Sequence, residues 1–255
     1  MTDYSYQLYS SRNFPPLENT LKMLSSLGYA SVEGYGGMVD SAAGLDAKQL
    51  KSQLEDCGFT MPTCHIGIEQ LEQSQKEVVM LANTLGIEKI FVPAIAEKER
   101  TTNADDWKSL AGRLQKLNQS YSNEGLTVGW HNHAFEFNAT DNGELPLDIL
   151  MENAPDIELE LDLAWAVIGK QDPLALLDKY GKRIVAAHIK DLAASGECTD
   201  EDGWADVGHG TMDWSGLHAE LTKQGVQYFV MEHDNPSDHQ RFATQSINFC
   251  NKLAS

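Results

Sequence analysis

The chain has 255 residues, with 38 Asp and Glu against 19 Lys and Arg, for a formal net charge of −19. Such a field repels phosphate backbones and anionic lipid surfaces, which excludes nucleic acid and membranes as expected partners. At 42% hydrophobic and 22% charged residues the composition is that of a globular chain with a large core, and no apolar run approaches the ~20 residues of a membrane helix.

In chain order, short apolar runs alternate with amphipathic stretches. YSYQLYS reads as a strand and PPLENTLKMLSSLGY as a helix with Pro at its start and Gly near its end. ASVEGYG is a strand, LDAKQLKSQLEDCG a helix and MPTCHIG a strand. Residues 69–85 read as one helix, followed by the strand KIFVPAI. DDWKSLAGRLQKLNQSYSNEG is a helix and LTVGWHNH a strand. The short helix LPLDILMENA leads to the strand IELELDLAW. DPLALLDKYG is a helix and RIVAAHIKD a strand. VGHGTMDW reads as a turn with His209 exposed, leading into the helix DWSGLHAELTKQG with Asp213 as its cap. YFVMEHD is the last strand and SDHQRFATQSINFCNKLA the last helix. Eight strand–helix pairs in one chain of this length predict a parallel sheet closed into a (β/α)8 TIM barrel, a single α/β domain over residues 1–255. A doubly wound open sheet is the alternative, and the lack of G-x-G-x-x-G after the first strand counts against a dinucleotide fold.

Cys57, Cys64, Cys198 and Cys250 show no C-x-x-C spacing and read as reduced thiols. The opening residues MTDYSYQLYSSRN lack a basic and then apolar leader, so a cytoplasmic protein is expected.

In such a barrel the chemistry belongs at the C-terminal ends of the strands. Strand two ends near Glu33 and strand three in His65. Strand five carries His131 and His133, with Glu136 just beyond. Strand six ends in Asp162, strand seven in His188, Lys190 and Asp191, and strand eight in Glu232, His233 and Asp234. Each alone has a structural explanation as a cap, a surface pair or a hydrogen-bonded histidine. Adjacent strands all ending in His, Asp or Glu are harder to assign to capping, because neighbouring carboxylates repel without a cation between them. Mixed nitrogen and oxygen donors suit Mn, Zn, Fe or Co, and Mg where water fills several positions. Tyr9, Tyr35, Trp130 and Trp165 are aromatic candidates for stacking on a sugar ring, or core.

The stretches LKMLSSLGYASVEGYG, MPTCHIGIEQL, VGWHNHAFEF, ELDLAWAVIGKQDPLALLDKYGKRIVAAHIKD, VGHGTMDW and YFVMEHDNP together make the whole chain resemble the sugar phosphate isomerase/epimerase family of xylose isomerase-like TIM barrels. The resemblance implies one divalent metal ion, manganese first, held by residues on strands five to eight. Asp162, His188 and Glu232 match the family's ligands on strands six, seven and eight. Strand five departs from the pattern, since many relatives place a Glu where His131 stands. Glu136 curling back is the expected ligand there, with His131 and His133 as the alternatives. The DNA-repair branch of the superfamily carries a His three residues after the strand-six Asp; here that residue is Trp165, which, with the net charge, counts against an endonuclease.

The implied chemistry is proton abstraction next to a carbonyl of a keto-sugar or related polyol. Isomerase, epimerase and lyase or dehydratase outcomes on a 3-keto-glycoside or inosose share one enolate. Expected catalytic residues are His131, His133, Glu232 and Lys190, with Asp191 orienting the lysine. Expected metal ligands are Glu136, Asp162, His188 and Glu232. Expected substrate contacts are His65, Trp165, Lys190 and Glu33. The expected partner is a small carbohydrate, with homo-oligomerisation left open. A metal-free sugar-binding barrel is the non-enzymatic alternative.

Overall fold

A computed structural model describes residues 2–38 and 46–253. The helix ends expected at Leu45 and Ala254 lie outside the described residues. The barrel is built from β1 (Tyr4–Gln7), β2 (Ser31–Tyr35), β3 (Thr60–His65), β4 (Lys89–Val92), β5 (Thr127–His131), β6 (Glu158–Asp162), β7 (Ile184–Ile189) and β10 (Tyr228–Met231). All eight pair in parallel and in chain order, and β1 closes the ring against β10. A small antiparallel hairpin, β8 (Asp191–Leu192) with β9 (Trp204–Ala205), follows β7 and was not anticipated.

The helices on the outside are α1 (Leu17–Leu27), α2 (Ala47–Asp56), α3 (Ile68–Gln73), α4 (Gln75–Leu85), α5 (Ala104–Ser122), α6 (Pro146–Asn153), α7 (Leu163–Ile168), α8 (Pro173–Tyr180), α9 (Trp214–Gln224) and α10 (His239–Leu253). The helix expected over 69–85 is two helices, broken at Ser74, whose φ of −133° is not helical. The expected strand IELELDLAW stops at Asp162, and LAWAVI turns into α7 because the Asp162 carboxylate accepts the Trp165 backbone N–H at 2.8 Å. Asp213 caps α9 by accepting from Gly216 N at 3.1 Å, and His209 is exposed, both as expected.

The barrel interior is layered. At its floor, Lys89 reaches across to Glu158 at 2.8 Å, and Thr127 donates to the same carboxylate. Phe91, fully buried, fills the space above. Its approach needs Gly129, where a Cβ would come within 2.5 Å of Glu158 O and 2.9 Å of the Phe91 ring. The next layers toward the C-terminal ends are polar and charged, which is where the site lies.

Candidate metal centre at the barrel mouth

On β6 the alternation of side chains puts Glu158, Glu160 and Asp162 on the barrel interior in successive layers. The sequence reading identified Asp162 and passed over Glu160. Its signal was the period-two spacing of acids in ELELD. Register sets Asp162 beside His188 on β7, and His131 beside Glu160. Asn132, on the opposite face of the chain from His131, fastens β5 to the end of β6: its amide donates to Asp162 O at 3.1 Å and accepts from Asp162 N at 3.0 Å.

Donor atoms of His131, Asp162, His188 and Glu232 lie within 4.8 Å of one another, all buried. His188 Nδ1 is 2.9 Å from Glu232 Oε2 and 3.8 Å from Asp162 Oδ2. Asp162 spends Oδ1 on the α7 cap and leaves Oδ2 buried without a hydrogen-bond partner. Burial pushes the Asp162 carboxyl up to about 7, against the pull of Lys190 and His188. A carboxylate this destabilised, with an unpartnered oxygen aimed among nitrogen and oxygen donors, is what a cation would satisfy, so the residues present fit a divalent ion.

Glu136 is not part of this group. Its Oε1 accepts from the Trp130 indole at 3.0 Å and its Oε2 from the His133 backbone N–H at 2.9 Å. Both oxygens are taken up by these two donors, which brace the turn after β5, and Glu136 belongs to neither group of converging donor atoms. The expectation that Glu136 supplies the strand-five ligand is therefore corrected, and His131 stands in that place. Burial pushes Glu136 up to about 8.

Lys190 also departs from expectation. It is fully buried, donates to Glu232 at 3.2 Å and to Asp234, and lies 4.0 Å from the centroid of Trp204 and 5.1 Å from that of Trp165. Its ammonium is enclosed by these partners and does not line the cavity above. Burial works against its charge, but Glu232, Asp234 and Asp162 together hold its pKa above the ordinary value. Asp191 does not orient it. That carboxylate instead accepts four backbone N–H groups, from Leu192, Gly208, Gly210 and Met212, and so folds the loop before α9.

A cavity of about 510 Å³ opens above the cluster, and Tyr9, Tyr35, His65, His131, His133, Glu232 and Asp234 are among its lining residues. Glu33 and Trp165, expected to touch substrate, are not: Glu33 is buried beneath His65 and His188, and Trp165 packs on His133 and Trp204. Trp130 is core. Asp234 and Trp204 join the site through Lys190; Trp204 sits on the unforeseen hairpin and carried no sequence signal. His133 lies 5.1 Å from His131, ring to ring, and its buried Nδ1 has no partner. Burial, followed by the Lys190 charge, pushes the His133 pKa down to about 3, and burial beside His188 holds His131 well below the usual range.

A closed parallel barrel of eight strands with a cluster of His and carboxylate donors at its C-terminal mouth defines the class of the fold, a (β/α)8 TIM barrel. A family model described as xylose isomerase-like TIM barrel matches residues 21–253, and the chain belongs to that family. A sugar phosphate isomerase/epimerase from Parabacteroides distasonis superposes with a TM-score of 0.83 at 20% identity, over 99% of this chain and 98% of that one. The IolI protein, solved with a bound zinc atom, gives 0.77 at 16% identity, over 99% and 96%. At these identities the likeness is one of fold. Among curated proteins, the inosose dehydratase of Clostridium beijerinckii is 29% identical over 126 residues, 48% of this chain and 41% of that protein. The match thus spans less than half of that relative. Among the described residues, no helix is long and apolar enough to cross a membrane.

Proposed function

We propose that the chain is a divalent-metal-dependent enzyme that removes a proton from the carbon beside a carbonyl of a cyclic polyol ketone or keto-sugar, with loss of a β-hydroxyl as water. The observation that carries this reading is the convergence of His131, Asp162, His188 and Glu232 directly beneath the 510 Å³ cavity. Isomerisation and epimerisation begin with the same proton removal. Dehydration is favoured as the outcome by the similarity to inosose dehydratases. Two imidazoles and two carboxylates suit Mn, Zn, Co or Fe better than Mg. Manganese and zinc are the first ions to test.

His131, Asp162, His188 and Glu232 would hold the ion, which when bound supplies Lewis-acid polarisation of the substrate carbonyl. His133 is the proton acceptor. Its ring lines the cavity, its Nδ1 has no hydrogen-bond partner, and it is not committed to the donor set. The C–H bond breaks toward His133 and its electron pair moves onto the carbonyl oxygen as the enolate forms. Return of that pair expels the β-hydroxyl, which leaves as water with the proton His133 had taken. Lys190 holds Glu232 and Asp234 in place from behind. Tyr9 and Tyr35, edge to face at 5.3 Å, wall the outer cavity and give an apolar face to the ring.

The test is incubation of the manganese- or zinc-loaded protein with inososes and keto-sugars in deuterated water. The expected result is a conjugated ketone seen by its ultraviolet absorbance, with His133→Ala slowing its formation by roughly 10²–10⁴-fold. Deuterium uptake without water loss would move the assignment to isomerase or epimerase. Neither signal across the panel would contradict the enolate reading.

A further inference from the structure

Below the mouth lies a layer of charged groups that the proposed reaction does not use. Glu33 on β2 and Glu160 on β6 are fully buried. Gln7 donates to Glu33 Oε1 at 2.8 Å. The same oxygen is 2.9 Å from His188 Nε2. Glu160 Oε2 is 3.1 Å from His131 Nδ1, 2.6 Å from His65 Nε2 and, more distantly, 3.3 Å from His188 Nε2. His131 and His188 thus each turn one ring nitrogen down to a carboxylate. On His188 the other nitrogen, Nδ1, is the one that faces Glu232 and Asp162.

A neutral imidazole has one N–H and one bare nitrogen, and only the bare nitrogen can ligate. A carboxylate behind the ring decides which nitrogen keeps the proton, and its charge strengthens the ring as a donor. We propose that Glu33 and Glu160 are positioning residues for the metal centre. Glu33 holds His188 with its proton on Nε2 and Nδ1 bare toward the donor set. Glu160 holds His131 with its proton on Nδ1, leaving Nε2 bare. This inference rests on the metal reading above and says how that site is set.

The donor set carries only two carboxylates, Asp162 and Glu232. Glu33 and Glu160 place one further negative charge behind each imidazole. Glu160 is held in this lower layer by the strand itself, two residues or about 6.6 Å along β6 from Asp162. His65 ties the two carboxylates together, at 2.6 Å from Glu160 and 3.3 Å from Glu33. The competing arrangement is a second ion in the lower layer, because donor atoms of His65, His131, Glu160 and His188 also lie within 4.8 Å of one another. Glu33 Oε2 and Glu160 Oε1 have no hydrogen-bond partner there. Filling both layers at once, however, would require His188 to give up its N–H and ligate through both nitrogens, so the geometry points to one ion.

The test is zinc titration against a competing chelator on the full chain, its Glu33→Gln and Glu160→Gln variants, with nitrogen-15 spectra of the histidine-labelled, zinc-loaded proteins. Wild type is expected to bind one equivalent, with the proton on Nε2 of His188 and on Nδ1 of His131. Each variant is expected to keep one equivalent at about 10–100-fold weaker affinity. E33Q should disturb the His188 signature and spare that of His131, whereas E160Q should disturb His131 most and His188 less, because Glu160 Oε2 also lies 3.3 Å from His188 Nε2; general loosening would not produce this pattern. If a Gln variant fails to fold, Glu33→Asp or Glu160→Asp draws the charge back from the ring and should give the same shift to a smaller extent. Unchanged affinity and signatures in a zinc-binding wild type would overturn this inference alone. A second equivalent lost on E160Q would overturn it in favour of a lower site. No zinc in wild type would overturn the metal centre and this inference with it.

Discussion

Glu136 shows how a single side chain can match a motif and still serve another purpose. In WHNHAFEF its distance from His131 allows a carboxylate to curl back, and nothing in the sequence reveals that the Trp130 indole and the His133 amide will claim both oxygens. The cost of that burial is legible in its titration. The folded chain keeps the Glu136 proton up to about pH 8, whereas the ordinary value is 4.5. Between those values the folded state binds more protons than the unfolded state, so this residue's contribution to stability falls as pH rises through the window. Glu136→Gln removes the titration and leaves one of two N–H donors without an acceptor, for a loss of about 1–3 kcal/mol near pH 5.5. That penalty should shrink at pH 8.5, where the wild-type carboxylate has become costly. Urea midpoints of both proteins at the two pH values check this, and equal penalties would contradict it.

The convergence of Asp162, His188 and Glu232 was legible because each lies at or beside the end of a strand, and strand ends converge in a barrel. Glu160 was not, because a residue two places before a strand end looks like core or floor until the interior layers are known. Lys190 was found but misplaced: the sequence gives its face but not the Trp165 and Trp204 rings that enclose it.

At the scale of elements, β5 and the loop after β7 carry the most specific demands. Gly129 reads as an unremarkable strand glycine. In the barrel it is the point where β5 passes between Glu158 O and Phe91. A methyl group there meets backbone that cannot yield, so Gly129→Ala is expected to lose about 1–3 kcal/mol by denaturant unfolding, whereas Gly112→Ala on α5, with open space around it, should lose nothing. The loop 206–213 is folded on one carboxylate, Asp191, through the backbone N–H groups of Gly208, Gly210 and Met212. Asp191→Ala should cost roughly 2–4 kcal/mol and raise amide exchange at Gly208, Gly210 and Met212 well before that of the β7 core. Uniform exchange across loop and barrel would count against the loop being organised this way. Neither role was visible in the sequence, since both depend on partners distant in the chain. Helix ends were more legible, because Gly28, Asp213 and Pro173 act locally.

At the scale of the whole molecule, the alternation of eight strands with helices was enough to predict the closed barrel, because right-handed parallel crossovers leave few other arrangements. The −19 charge is partly concentrated at the barrel mouth, where Glu33, Glu160, Asp162 and Glu232 cluster about Lys190 and the histidines His65, His131 and His188. That imbalance is the central reason for placing a divalent ion among His131, Asp162, His188 and Glu232. The most direct measurement is metal content after incubation with Mn²⁺ or Zn²⁺ and removal of excess, for wild type beside a folded Asp162→Ala/Glu232→Ala double variant. About one equivalent in wild type and none in the variant is the predicted result. No metal in wild type, or the same amount retained by the variant, would contradict the site.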